Sequence, residues 1–210
     1  METKYIDVLV VGSGVAGLYC ALNLRKDLDV MVVSKDKLDC TNTYLAQGGI
    51  SVARDMEDVP LFIEDTLRAG QYKNDLQAVK VLTRESIENV DSLVALGLDV
   101  DKDDEGNWDY TKEGAHCVNR IIHTQDNTGE NVEKTLVENV LNRENIKIYE
   151  DTFLVDIIDN VLAAQLLFIT TSFFDFVAIW LPSAARRMRY RYTPVCSRWP
   201  LAVVRFQSTE

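Results

Sequence analysis

The stretch V-L-V-V-G-S-G-V-A-G, Val8 to Gly17, decides the fold. Apolar, mostly β-branched residues run straight into Gly12, Gly14 and Gly17, and the apolar-periodic segment Leu18 to Leu24 follows at once. A buried strand, a glycine turn and a helix in that order are the context in which G-x-G-x-x-G holds the pyrophosphate of a dinucleotide. The first glycine permits the turn, the second admits close backbone approach, and the third lets helix and strand pack together. The phosphates would then face the amides and positive dipole end of the helix. A glycine turn without a ligand is the bland alternative, and the flanking strand and helix weigh against it.

Outward from that stretch, Tyr5 to Val11 reads as the first strand and Val15 to about Lys26 as the helix, with Val15, Leu18 and Leu22 on one face. Asp29 to Ser34 is a second short, β-branched run, which completes a parallel βαβ unit. An acidic residue that bonds a ribose normally ends this second strand. Here Ser34 stands in that place, followed by Lys35 and Asp36, a departure from the NAD pattern. The polar loop T-N-T-Y-L-A-Q-G-G, Thr41 to Gly49, is either a plain connection or a set of backbone amides presented to a cofactor, because Gly48 and Gly49 permit close approach.

A helix follows Pro60 and runs to about Ala69, with Gly70 as its stop. Asp75 caps the next, from about Leu76 to Leu96, whose apolar face holds Val79, Leu82, Ile87, Val90, Leu93 and Val94 and whose end is Gly97. Asp99 to Gly106 lacks the ligand alternation of a calcium loop and reads as a solvated turn. Tyr110 to Gly129 holds both histidines, His116 and His123, together with Glu113 and Arg120. Each alone has a structural reading as well as a catalytic one, and the spacing of the histidines does not match a zinc site, so no metal is expected. Thr128 can cap a helix from about Gly129 to Asn142, Asn145 to Glu150 reads as a third strand, and Phe153 to Ile158 could open a hairpin or meander.

The chain has 210 residues and a net charge of −11, which makes nucleic acid or an anionic membrane surface an unsuited general partner. Cys20, Cys40, Cys117 and Cys196 are scattered without metal-like spacing and read as reduced thiols of a cytoplasmic protein. Composition breaks near Asn160: residues 1–160 carry 16 basic and 31 acidic side chains, whereas residues 161–210 carry six arginines against Asp175 and Glu210.

With these residues in view, the chain resembles the L-aspartate oxidase family of the succinate dehydrogenase and fumarate reductase flavoproteins. The resemblance covers about residues 5 to 160. It rests on G-S-G-V-A-G at Gly12 to Gly17, V-S-K at Val33 to Lys35, N-T-Y-L-A-Q-G-G-I at Asn42 to Ile50, F-I-E-D-T-L-R-A-G at Phe62 to Gly70, and T-K-E-G-A-H at Thr111 to His116 with R-I-I-H at Arg120 to His123. It implies an α/β, Rossmann-like FAD-binding domain with a GR2-type βαβ start, a parallel sheet with helices, here incomplete. The implied cofactor is FAD, held by Gly12, Ser13, Gly14, Val15, Ala16, Gly17, Ser34 and Lys35 and by the loop residues Asn42, Thr43, Tyr44, Leu45, Ala46, Gln47, Gly48 and Gly49. The implied reaction is the oxidation of L-aspartate to iminoaspartate, the first step of NAD biosynthesis, with oxygen or fumarate as electron acceptor. Glu113 is implied to meet the substrate's ammonium group, and His116 is a further catalytic candidate. A non-catalytic flavin-binding fragment, or a succinate- or fumarate-type flavoprotein, is the alternative. A partnership with quinolinate synthase is implied by the family alone.

The resemblance ends after Ile158, so residues 1–160 are expected to be the N-terminal part of a flavin domain that is inactive alone. Val161 to Leu181 is long enough to span a bilayer. Asp175 inside it costs about 2–3 kcal/mol on insertion scales, and Arg186, Arg187, Arg189 and Arg191 after it would orient the flavin domain away from its cofactor. A tail without glycine, lysine or asparagine reads as out-of-frame or non-native sequence that does not complete the sheet.

Overall fold

Asp7 splits the apolar run expected as one strand into β1 (Thr3–Ile6) and β2 (Val8–Val11), which serve different sheets. Its amide donates to the Asp29 carbonyl and its carboxylate accepts the Asp29 amide, both at 2.9 Å, so the chain is pinned at the break. The computed structural model describes residues 3–158, 165–167, 177–180, 188–192 and 201–205, with side chains over 6–154. Two compact units make up the chain, residues 1–44 with 136–210 and residues 45–135.

In the first unit β2 leads through the glycine turn into α1 (Val15–Asn23), which is shorter than expected, and on to β3 (Val30–Val33), parallel to β2 and buried along its whole length. A single 3-10 turn at Leu38–Cys40 follows β3. The later strand β6 (Ile146–Tyr149) adds to β3 in parallel, giving the parallel order β6-β3-β2. Leu9, Val10, Leu18, Ala21, Val32, Leu136 and Val140 are fully buried and form the apolar interior of this unit. Arg143 donates to the carbonyls of Leu22 and Leu24 at 3.2 and 3.3 Å, supplying partners and positive charge where α1 ends.

The structure departs from two expectations. Phe153–Ile158 (β7) does not open a hairpin; it pairs in parallel with β11 (Leu201–Arg205), in a sheet ordered β1-β10-β11-β7 with β10 (Met188–Tyr192). The tail also contributes to the main sheet. β9 (Val177–Trp180) lies antiparallel to β2, and β8 (Gln165–Leu167) antiparallel to β9. The physical reason is that β2 has an open edge whose amides and carbonyls need partners, and the short apolar run V-A-I-W satisfies them whatever its origin. Most of the candidate span Val161 to Leu181 lies outside the described residues, and among those described no helix is long and apolar enough to cross a membrane.

The second unit holds β4 (Ile50–Ser51), α2 (Val59–Ala69), α3 (Leu76–Ala95) and β5 (Ile121–Ile122), with the start of α4 (Thr128–Leu141). Asp75 caps α3 as expected, its carboxylate accepting the Ala78 amide at 2.8 Å. Gly97 (φ +108) ends α3 in the left-handed turn. α2 stops differently: Gly70 has φ −82, and the left-handed residues are Gln71 (φ 53) and Tyr72 (φ 56), whose amides reach back to Arg68 and Leu67. Asp99 to Gly106 is a hydrogen-bonded turn in which the Asp103 carboxylate accepts the amides of Glu105 and Asn107.

The main sheet is the most demanding part of the first unit. Leu9→Ala, which empties a fully buried site on β2, should cost about 2–5 kcal/mol, read as a lower denaturation midpoint with an unchanged slope.

Candidate functional site

The first unit carries a cleft of about 370 Å³ lined by Val11 to Gly17, Val33 to Asp36, Cys40 to Thr43 and Thr152 to Leu154. The Gly12 amide donates to the Val33 carbonyl at 2.8 Å, which carries the β2–β3 ladder one residue past the strand. Its φ of +107 then turns the chain into α1, a conformation that costs an L side chain about 1–2 kcal/mol. Gly14, the N-cap, is extended (φ −72, ψ −179), so its role is space rather than dihedral freedom. A Cβ there would stand 3.1 Å from Thr43 Oγ1, the atom that accepts the Val15 amide at 3.0 Å. Thr43 Oγ1 takes the Val15 amide, but Gly14 has no side chain with which to cap α1 and no acidic residue lies in its first turn, so its positive end opens onto the cleft.

At the end of β3 the buried hydroxyls of Ser13 and Ser34 are 2.8 Å apart, and the Thr152 amide donates to the Ser34 carbonyl at 2.8 Å. The position that bears a ribose-binding acid in the NAD pattern is thus a neutral hydroxyl tied to the glycine turn. Lys37 is held by Asp151 at 2.6 Å and Glu150 at 3.3 Å, which anchors the segment after β3. Of the expected cofactor residues, Gly12, Ser13, Gly14, Val15, Ala16, Gly17, Ser34, Lys35, Asn42 and Thr43 share this cleft. Tyr44 ends the first segment of the first unit, and Leu45, Ala46, Gln47, Gly48 and Gly49 belong to the second, where Leu45 to Gly48 are exposed. A helix end without a carboxylate, a glycine whose Cβ would crowd Thr43 Oγ1, and no carboxylate at Ser34 make a set that fits a dinucleotide pyrophosphate.

In the second unit Gly49 (φ +75) packs where a Cβ would lie 2.6 Å from Ile121 Cγ2 and 2.7 Å from the Ile122 carbonyl oxygen. That closeness belongs to the antiparallel pair β4–β5, in which Ile50 faces Ile122 and Ser51 faces Ile121. Glu113 lies in an exposed turn, its Oε2 4.0 Å from the place a Cβ on Gly48 would take.

Arg120, beside β5, is fully buried. Its Nε and Nη2 donate to the two Asp58 oxygens at 3.1 and 2.6 Å, and its Nη1 donates to Asp65 Oδ2 at 2.5 Å. The guanidinium lies over the Phe62 ring, 4.9 Å from its centroid. Asp65 also accepts the Cys117 amide at 2.7 Å and an Arg68 nitrogen, while Arg68 reaches the Ala115 carbonyl at 2.7 Å. Burial pushes the Asp65 carboxyl upward, yet the Cys117 amide and Arg120 outweigh it and hold it well below the carboxylate range. Burial opposes ionisation of Asp58 too, and the Arg120 hydrogen bonds again prevail and lower it. His116 is half-buried: its Nδ1 is 2.9 Å from Arg120 Nη1 and its Nε2 3.3 Å from Ser51 Oγ. Burial and then the Arg120 charge depress its pKa against the pull of Asp65 and Asp58.

The FAD binding domain family matches residues 7–174 of this sequence. The chain belongs to that family. FAD is accordingly its cofactor, in agreement with the neutral Ser34 and with the cleft. An L-aspartate oxidase of Clostridium perfringens is 55% identical over 154 residues, 73% of this chain and 35% of that protein. An L-aspartate oxidase of Clostridium acetobutylicum is 51% identical over 157 residues, 74% of this chain and 36% of its own. The chain thus spans about a third of the length of these relatives. The Mycobacterium smegmatis Sdh1 complex in the apo form shares the fold, with a TM-score of 0.66 and 24% identity over 77% of this chain and 30% of that one.

Asp58, Asp65 and Thr152 are not among the site residues expected from the sequence. The signal for the two acids was present: positions seven apart around a helix start lie on one face, and such a pair can meet a single buried cation.

Gly49→Ala should lower the stability of the second unit by about 2 kcal/mol or more, because the carbonyl of Ile122 cannot move aside, and thermal unfolding checks it. Asp58→Asn, which strips a buried guanidinium of its bidentate partner, should cost about 3–5 kcal/mol. Asp58 and Asp65 are depressed, so their contribution is complete above the ordinary aspartate value of about 3.9 and is lost as pH falls through the folded values. His116 is depressed as well, and its contribution wanes below about 6.5. Denaturant midpoints should therefore fall on acidification, most steeply below about pH 4.

Proposed function

We propose that this chain carries the flavin-binding portion of an FAD-dependent L-aspartate oxidase, which converts L-aspartate to iminoaspartate in the first step of NAD biosynthesis. The observation that carries the proposal is the 55% identity over 154 residues to a protein of that name. Bound FAD supplies the hydride acceptor, and oxygen or fumarate is the electron acceptor in turn. This chain's own residues bind and orient. The α1 N-terminus and the Gly12 to Gly17 turn hold the pyrophosphate, and Ser34 leaves the site after β3 uncharged. Glu113, exposed in its turn, offers a carboxylate to the substrate ammonium, the group that separates aspartate from succinate and fumarate. His116 stands on the same turn, its amide 3.4 Å from the Glu113 carbonyl oxygen. A cytoplasmic setting and a hand-over of product to quinolinate synthase complete the proposal.

The test is ligand perturbation of the flavin spectrum in the FAD-loaded chain. L-Aspartate should perturb it at lower concentration than succinate, and Glu113→Gln should weaken the aspartate response about 10–100-fold, the worth of one charged hydrogen bond, while leaving succinate unaffected. A response to succinate that exceeds the response to aspartate would overturn the aspartate assignment in favour of a succinate- or fumarate-type flavoprotein.

A further inference from the structure

We propose that Arg120 is a positioning residue that locks His116, the second catalytic candidate, as the neutral imidazole with its proton on Nε2. The lock rests on geometry; a catalytic use of His116 rests on the aspartate assignment above. A guanidinium has donors and no acceptor. With Arg120 Nη1 2.9 Å from His116 Nδ1, that nitrogen must present its lone pair, which leaves the proton on Nε2, directed at Ser51 Oγ 3.3 Å away. The guanidinium cannot turn aside, because Asp58 holds Nε and Nη2, Asp65 holds Nη1, and Phe62 lies against it. The imidazole is braced as well, with its centroid 5.7 Å from that of Phe62.

A proton added to Nδ1 would set an imidazolium N–H against a guanidinium N–H. The groups that face the ring are Arg120, Asp58 and Asp65 at the start and in the body of α2, and Ser51 on β4. α3 lines the adjoining cavity of about 520 Å³ with Leu82, Ser86, Asn89, Val90 and Leu93, none of them charged. Both carboxylates are already engaged by Arg120, and so are poor partners for a second cation. The same cluster clamps the backbone around the ring through the Cys117 amide and the Ala115 carbonyl.

His116 and His123 are the chain's two histidines, so long-range 1H–15N correlation spectra of the full chain report each ring separately. The expected result is a His116 ring protonated at Nε2 and bare at Nδ1, which titrates below the ordinary imidazole value. Arg120→Lys keeps the charge but loses the planar fork; it should give a tautomer mixture and a higher midpoint. Ser51→Ala should leave both unchanged, because the lock acts on Nδ1. A wild-type ring protonated at Nδ1, or an Arg120→Lys protein with the wild-type tautomer and midpoint, would overturn the proposal, and the wild-type spectrum decides even where the variant does not fold. None of these spectra needs flavin or aspartate, so their failure is distinct from failure of the aspartate assignment.

Discussion

A guanidinium with no access to water must have its charge met inside the protein, and Arg120 meets this constraint with two carboxylates borne by the start and the middle of one helix. Replacing water around an ion costs several kcal/mol, which only near-complete pairing offsets. Every donor direction of Arg120 is therefore occupied, by Asp58, Asp65, His116 and the Cys117 sulfur. The placement of α2, the entry into β5 and the backbone from Ala115 to Cys117 follow from that one requirement, because each supplies or receives a bond in the same cluster. Such a pair is weak support for net stability compared with an apolar core, but it is a strong determinant of where the turn bearing Glu113 and His116 sits.

The first unit is governed by hydrogen-bonded strands instead. The ladder from β6 through β3 to β2 extends to Gly12, and the turn begins where the ladder ends. Gly12 and Gly14 then serve unlike purposes, a left-handed dihedral in one and a close approach to Thr43 in the other. Ser34 is explained by the same geometry: its hydroxyl meets that of Ser13, which ties the end of the second strand to the glycine turn and leaves the cleft without a carboxylate at that point. The FAD binding domain family is consistent with that arrangement.

Much of this was legible in the chain itself where the signal is local. Asp75 caps α3 and Gly97 ends it, as an N-cap preference and the left-handed tolerance of glycine require. Gly70 misleads because a helix stop needs a left-handed residue without needing glycine, and Gln71 and Tyr72 take that conformation once their amides find the last turn's carbonyls. Asp7 was hidden inside an apolar run, and only the pairing with Asp29 shows that it ends one strand and starts another. The partners of Phe153–Ile158 and of Val177–Trp180 were equally hidden, since a strand's sequence carries no mark of which open edge it will join.

What the sequence by itself determined is what depends on neighbours along the chain: the strand, turn and helix of Val8 to Asn23, the second parallel strand, the caps, and through its motifs the flavin family. Only the tertiary structure decided which charges meet. Asp58, Asp65, His116 and Arg120 are separated by up to 62 positions, and no local preference brings them together. Their contact holds because a buried cation needs counter-charge at hand, and two acids on one helix face surround it here.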